Sequence, residues 1–305
     1  LICILNSTFV TRACWETKSF FKNEFATPID KFGDKEVSEQ LRKMVFPFIL
    51  RRTKEQVAKD LPDKTETILY CEMDTYQQSI YNAVKEEYKL KILEKIDTDG
   101  ISKSTFAILE GLNKLRMICD CPSLISDIDK KRFKQESIKL NEVMREIEEN
   151  ISNHKMLIFS QFLGMLDLIK QKLDADKIKY VYLDGSTPAK ERGRLVELFQ
   201  TDTSIQIFLI SLKAGGVGLN LTAADYVYVI DPWWNPAVED QAIDRTHRIG
   251  QNKKVFAYKL ICKNTIEEKI VQLQERKKSL AKELITEDAS FVKKLTRDDV
   301  AWLLN

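Results

Sequence analysis

Apolar positions along this chain follow two periods, and their alternation predicts a layered α/β core. Ile205 to Ser211 and Tyr226 to Asp231 are short apolar runs of the fully buried strand type, and each passes directly into polar, glycine or aromatic residues. Lys155 to Ser160, Lys179 to Leu183 and Val255 to Cys262 read as further strands, and Thr65 to Glu72, following Pro62, as a β-branched one. Between them apolar residues recur at helical spacing. Ser137 to Asn150 does so through Leu140, Val143, Met144 and Ile147; Gln161 to Leu173 and Pro188 to Gln200 follow, the last with proline in its first turn. Strands separated by helices of about a dozen residues require right-handed parallel crossovers, so a three-layer parallel sheet is expected, with ligands at the carboxyl ends of its strands.

The flanks are helical or irregular. Asp74 to Lys95 carries Tyr76, Ile80, Val84 and Tyr88 at four-residue spacing behind Asp74 as N-cap, and Phe106 to Ile118 is a second helix. Thr265 to Leu284 predicts a long helix capped by Thr265, and Leu295 to Leu304 a short amphipathic one. Residues 1 to 48 are aromatic-rich and irregular, including Trp15, Phe20, Phe21 and Phe25, with no evident core to bury them and no glycine-rich phosphate loop.

At 305 residues and 44% hydrophobic composition, the chain supports one sizeable core plus a smaller satellite. Its 48 Lys and Arg against 46 Asp and Glu leave a net charge of +2, which argues neither for nor against nucleic acid, so clusters carry the information: Arg51-Arg52-Thr53-Lys54, Lys130-Lys131-Arg132 and Arg276-Lys277-Lys278. The six cysteines show no C-x-x-C spacing, and neither His154 nor His247 stands at zinc-ligand spacing from Cys119-Asp-Cys121. Reduced structural thiols and no metal site are expected. No run of 18 apolar residues and no secretory leader occurs, which points to an intracellular protein without a membrane partner. Beginning at Leu1 in what reads as the middle of a fold, the sequence is taken as a fragment of a longer chain.

Two constellations carry candidate chemistry. Ala214-Gly215-Gly216-Val217-Gly218 follows a strand, and its missing Cβ atoms suit either a tight strand-to-helix turn or close approach of backbone N–H groups to a phosphate. A dinucleotide fingerprint is excluded because Leu221 stands where a third glycine would be needed. Gln241, Arg245 and Arg248 follow Pro236, Glu239 and Asp240, the first turn of a predicted helix, and spacings of four and three place them on one face. Two adjacent guanidiniums imply either a bound anion between them or structural ion pairs with Asp240 and Asp244.

Ser211-Leu-Lys-Ala-Gly-Gly-Val-Gly-Leu-Asn-Leu, Asp231-Pro-Trp-Trp-Asn-Pro and Gln241-Ala-Ile-Asp-Arg-Thr-His-Arg-Ile-Gly-Gln resemble, in order and spacing, the fifth and sixth helicase motifs of the Swi/Snf-type ATPases, superfamily-two DNA translocases with two RecA-like lobes. The resemblance runs from about Ser19 to the terminus. It implies the tail of the first lobe over 1–48, an inter-lobe linker and the strand that enters the sheet over 49–73, a helical protrusion over 74–135, the second RecA-like lobe over 136–262 and C-terminal brace helices over 263–305.

The resemblance also implies roles. Arg245 and Arg248 would sense ATP, with Gln241 ordering their neighbourhood and His247 packing or hydrogen bonding. Neither G-x-x-x-x-G-K-[ST] nor D-E-x-H occurs, so ATP and Mg2+ would be bound mainly by an absent N-terminal lobe, and this chain alone would be inactive. Ser211, Lys213, Gly215 and Gly216 would meet phosphates of double-stranded DNA, and Trp234 would point toward the minor groove while Trp233 packs. Ser160, Gln161, Gly185, Ser186 and Thr187 are either further phosphate contacts or polar turns, and Arg51 and Arg52 either a solvated turn or contacts at the lobe interface or DNA backbone. The remodelling target would be a protein–DNA complex. The competing readings are an inert nucleic-acid- or protein-binding module and a strand-separating helicase.

Overall fold

The computed structural model describes residues 18–32, 34–45, 61–125, 136–215, 219–278 and 296–305. The chain divides into two compact units, Leu1–Lys59 and Asp60–Asn305. Within the first, Lys18–Phe21, a π-turn over Lys22–Ala26, Thr27–Phe32 and Lys35–Val45 are helical, and Phe25 is buried. The basic pair Arg51 and Arg52, and the Lys130-Lys131-Arg132 cluster, lie outside the described residues.

The second unit is built on one six-stranded, wholly parallel sheet. Its strands are β1 (Lys64–Cys71), β2 (Met156–Ser160), β3 (Tyr180–Leu183), β4 (Ile207–Ser211), β5 (Tyr226–Val229) and β6 (Val255–Cys262), in spatial order β1-β6-β5-β2-β4-β3. The strand ahead of the helical insertion is thus an integral edge of the sheet, paired with β6 from Lys64 opposite Val255 to Cys71 opposite Cys262. Alternate side chains of the inner strands enter two separate cores. Met156, Ile158, Ile207, Leu209, Tyr228 and Ile230 join one; Leu157, Phe159, Phe208, Ile210, Val227 and Val229 join the other. This is the α/β/α three-layer RecA-like arrangement that the alternation predicts.

Helices α1 (Thr75–Asp99), α2 (Ile101–Asp120), α3 (Ile138–Asn150) and α4 (Leu163–Ala175) contribute to the first core. Helices α5 (Ala189–Thr201) and α6 (Pro236–Ile243) contribute to the second. Their starts follow from capping: Asp74 accepts from the Gln77 N–H at 2.6 Å and Ser137 from the Leu140 N–H at 3.1 Å.

Helices α1 and α2 form a hairpin that turns at Gly100, whose φ of +79° favours glycine. Its outer part exposes Leu90 and Phe106, but its root is core: Leu112, Leu115 and Ile118 are fully buried, and Gln77 donates to the Ile118 and Cys119 carbonyls. Cys71, Cys119, Cys121 and Cys262 are free, buried thiols, as composition suggests. Helix α7 (Ile266–Lys278) follows β6, and Thr265 accepts from the Glu267 N–H at 3.2 Å. The last helix, α8 (Arg297–Leu304), meets the hairpin and α7, where Arg297 clasps Asp97 and Lys269 donates to the Trp302 carbonyl. Its amphipathic face supplies Val300, Leu303 and Leu304 to the first core, which fixes it there.

Candidate functional site

Because every strand is parallel, the segments after β2, β3, β4 and β5 emerge at one end of the sheet, where Ser160 is in register with Ser211. Two surface features gather there. The turn after β3 exposes Gly185 and Ser186, with Thr187 half-buried. Asp184 shapes it by accepting from the Ser186 N–H at 2.9 Å and the Ser186 hydroxyl at 2.6 Å, and that hydroxyl holds the Asp184 carboxyl below its usual range. After β4, Lys213 is exposed on a single helical turn, Leu212–Gly215, while Ser211 is buried beneath it and accepts from the Ala214 N–H at 3.3 Å. Gly216 lies outside the described residues.

Three expected contact residues face inward instead. The Ser160 hydroxyl is fully buried and donates to Asp231 at 2.6 Å, because the Asp231 carboxylate lies under the sheet end without water to satisfy it. The Gln161 N–H donates to the same carboxylate at 3.2 Å. Burial pushes the Asp231 carboxyl up, against the opposing pull of Arg116. Trp234, assigned to a groove, is only 4% exposed, and Trp233 is 9% exposed. The turn that buries them is held by Glu239, whose buried carboxylate accepts from the Trp233 N–H at 2.7 Å and pairs with Lys259 at 2.8 Å. Asn235 caps α6 by accepting from the Ala237 N–H at 3.0 Å, and Pro236 occupies the position where a missing donor costs nothing.

The arginines lie toward the other end of the strands, beside the segments that lead into β5, β6 and β1. The Arg245 carbonyl accepts from Leu221 N–H, Gln251 donates to the Ala224 carbonyl at 2.8 Å, and the His247 ring hydrogen-bonds the Pro62 carbonyl at 2.8 Å. The shared helix face does not form. Helix α6 stops at Ile243, and the chain tightens into i→i+3 turns as Arg245 and Thr246 donate to Ala242 and Ile243. Gln241 is exposed, Arg245 is buried at 6% and Arg248 is half-buried. Burial, and next the Arg248 guanidinium, push the Arg245 pKa down. A multiply charged anion such as a phosphate would relieve that repulsion, and the planar guanidinium forks suit one.

Sequence reasoning missed a buried polar network at the root of the hairpin. Lys139 contacts Asp120 at 2.9 Å, Glu267 at 2.6 Å and the Ile230 carbonyl at 2.7 Å, and Arg116 lies against Asp231. One local signal existed for part of it: Arg116 and Asp120 are four apart on the face that also carries Leu112 and Cys119, so two charges occupy an apolar stripe. Cys119, Cys262 and Glu267 bring potential ligand atoms within 4.8 Å of one another, but Lys139 already pairs with that carboxylate.

Residues 138–250 match the helicase conserved C-terminal domain and residues 2–124 the SNF2-related domain. In structure, the chain is similar to the SWI2/SNF2 ATPase C-terminal domain of Sulfolobus solfataricus, at 34% identity and a TM-score of 0.63, over 78% of this chain and 96% of that one. The same organism's SWI2/SNF2 ATPase core in complex with dsDNA is similar at 37% identity and a TM-score of 0.65, over 93% of this chain and 59% of that one. The chain belongs to the SWI2/SNF2 family of ATPases. An uncharacterized ATP-dependent helicase of Mycoplasma genitalium is 41% identical over 280 residues, 92% of this chain and 26% of the relative, so the chain spans about a quarter of the curated relatives of this kind. No helix among the described residues is long and apolar enough to cross a membrane.

Proposed function

We propose that this chain is the second motor lobe, with its helical protrusion and brace, of an ATP-driven translocase on double-stranded DNA that remodels protein–DNA complexes inside the cell. The observation that carries the reading is the segregation of two kinds of surface on one sheet. Lys213 with the Gly185–Thr187 turn stands at the carboxyl ends of the strands, and the Arg245–Arg248 pair beside the approach to β1. The likeness to a SWI2/SNF2 core in complex with dsDNA supports double-stranded DNA as the partner.

In this reading Lys213, Gly215, Gly216 and the Gly185–Thr187 turn meet phosphates, with Arg51 and Arg52 as further basic contacts, while Ser211 shapes the turn beneath Lys213. Ser160 and Trp234 hold the loops from below. Residues 1–48 close the first lobe, 49–73 link the lobes and enter the sheet, 74–135 form the protrusion, 136–262 the second lobe and 263–305 the brace. ATP and Mg2+ are held mainly by a first lobe outside these residues. Bound there, they supply a γ-phosphoryl group, and Arg245 and Arg248 stabilise the charge that develops on it, with Gln241 at their flank.

The test uses the longer parent protein, measuring ATP turnover with and without duplex DNA and displacement of a third strand from a triplex. DNA-stimulated turnover with displacement is expected. Turnover indifferent to DNA would mark an inert binding module, and separation of a labelled duplex would mark a strand-separating helicase.

A further inference from the structure

The largest fully buried side chain among the described residues is a charged one, Arg116 on α2, and it reaches Gln161, Phe162, Asp231, Pro232 and Trp234, on segments at the carboxyl ends of the strands. Its guanidinium sits 3.5 Å from the Asp231 carboxylate and donates to the Pro232 carbonyl. The Gln161 amide, oriented with its oxygen inward, accepts from both terminal nitrogens at 2.6 and 2.8 Å. The guanidinium also lies over the rings of Phe162 and Trp234, each with its centroid 5.4 Å away. A residue needed only to fill this space would be apolar, since a buried charge is costly unless paired. Both terminal nitrogens are taken by Gln161, while the buried Nε is left without a hydrogen-bond partner among the described residues. Here the planar fork reaches the segment after β2 and the segment after β5 together, fully buried between them.

We infer that Arg116 is a positioning residue for DNA tracking. It fixes Gln161–Phe162 against Asp231–Trp234, and through α2 it ties the helical hairpin to the sheet end where Lys213 and the Gly185–Thr187 turn lie. The inference rests on the translocase reading above. The same network continues to α3 and α7, because Asp120, one turn beyond Arg116, receives Lys139, which also holds Glu267. The hairpin therefore cannot shift relative to the sheet end without breaking contacts that no solvent replaces. Lysine in place of Arg116 keeps the charge but loses the second donor branch and the planar group that lies over the Phe162 and Trp234 rings.

The test compares Arg116→Lys and Gln161→Ala with wild type in the full-length parent, measuring base pairs travelled per ATP hydrolysed on one preparation. A residue that only stabilises the fold changes the fraction of active molecules, which scales both rates equally and leaves that ratio untouched. The positioning role lowers the ratio itself, by a loss on the order of tenfold, within the roughly 10²-fold effect that a 1 Å misplacement brings. Gln161→Ala removes the acceptor without leaving an unpaired buried charge, so it decides the matter if Arg116→Lys does not fold. An unchanged ratio in the variants that fold, beside a translocating wild type, overturns the role of Arg116 alone. A wild type that hydrolyses ATP without moving along DNA overturns the translocase reading and this inference with it.

Discussion

The Lys139 ammonium lies 2.6 Å from the Glu267 carboxylate, 128 residues further along the chain, and neither side chain reaches solvent. Burial pulls the Lys139 pKa down, but Asp120 and Glu267 together outweigh it and hold the ammonium well above its usual range. A raised lysine stabilises the fold at every pH below its unfolded value and loses that effect only as pH climbs through the folded one.

Lys139→Met strands two buried carboxylates, and breaking a buried pair in this way costs about 3–5 kcal/mol. Burial already pushes both Asp120 and Glu267 up, and without the ammonium they rise further. A carboxyl raised in the folded state stabilises below its unfolded pKa and loses that effect as pH rises through the folded one. The deficit of the variant is therefore expected to shrink between pH 8 and pH 5 in urea denaturation. A deficit independent of pH would place the loss in packing instead.

Arg245→Ala and Arg248→Ala in the parent enzyme are expected to leave DNA affinity near wild type while lowering DNA-stimulated kcat by about 10³-fold or more, the scale of arginine-finger losses. Steady-state kinetics beside a melting curve on each variant checks this. A fall in melting temperature that accounts for the lost rate would assign the pair to structure.

Lys213, exposed beyond β4, is a single phosphate contact in the proposed function. Its replacement by alanine should weaken binding similarly on all DNA sequences and reduce the slope of log affinity against log salt by about one. Fluorescence anisotropy between low and moderate salt reads that slope, and an unaltered slope would remove Lys213 from the DNA surface.

Two glycines in helices should respond oppositely to alanine. A Cβ at Gly111 would stand 2.7 Å from a Tyr88 ring carbon and 2.8 Å from Ile92 Cδ1, so overpacking of the hairpin should cost about 1–3 kcal/mol. At Gly193, within α5, a Cβ meets nothing within 4 Å, and the gain in helix propensity should be about 0.5–1 kcal/mol. Denaturation midpoints of the two variants compare them directly.

Burial pushes the Cys71 thiol up to about 12 and raises those of Cys119, Cys121 and Cys262 as well. At pH 8 these thiols should resist iodoacetamide until the protein unfolds, because the thiolate is the reactive species. Peptide-resolved alkylation as a function of urea tests this, and labelling of Cys119 or Cys262 in native buffer would contradict it.

The strand and helix order is legible in the chain because strands buried on both faces are unbroken apolar runs, as in Met156–Ser160 and Ile207–Ser211. The end of α6 is not. From Asp244 to Arg248 no glycine or proline interrupts the helical spacing on paper, whereas the Thr246 hydroxyl donates to the Ile243 carbonyl at 2.7 Å as the chain tightens into turns. The burial of Ser160 and Trp234 was not legible for a related reason. Their polar or amphipathic character at strand ends suits a surface contact, and only the inward turn of Asp231 and the proximity of Arg116 consume it. Lys139 was invisible because a lysine in a first helical turn ordinarily points to water, and both carboxylates that hold it come from other helices.

The pairing of β1 with β6 also has a consequence for how the protein is made. Glu72 and Lys263, at the far ends of these two strands, meet across 191 residues. At a synthesis rate of about 5–20 residues per second, β1 waits on the order of 10–40 seconds on the ribosome before its partner emerges. During that interval Tyr81 also lacks the Ile266 N–H that its hydroxyl accepts in the finished fold. The nascent chain thus carries an unpaired strand and a half-covered hairpin while the 191 residues up to Lys263 are made.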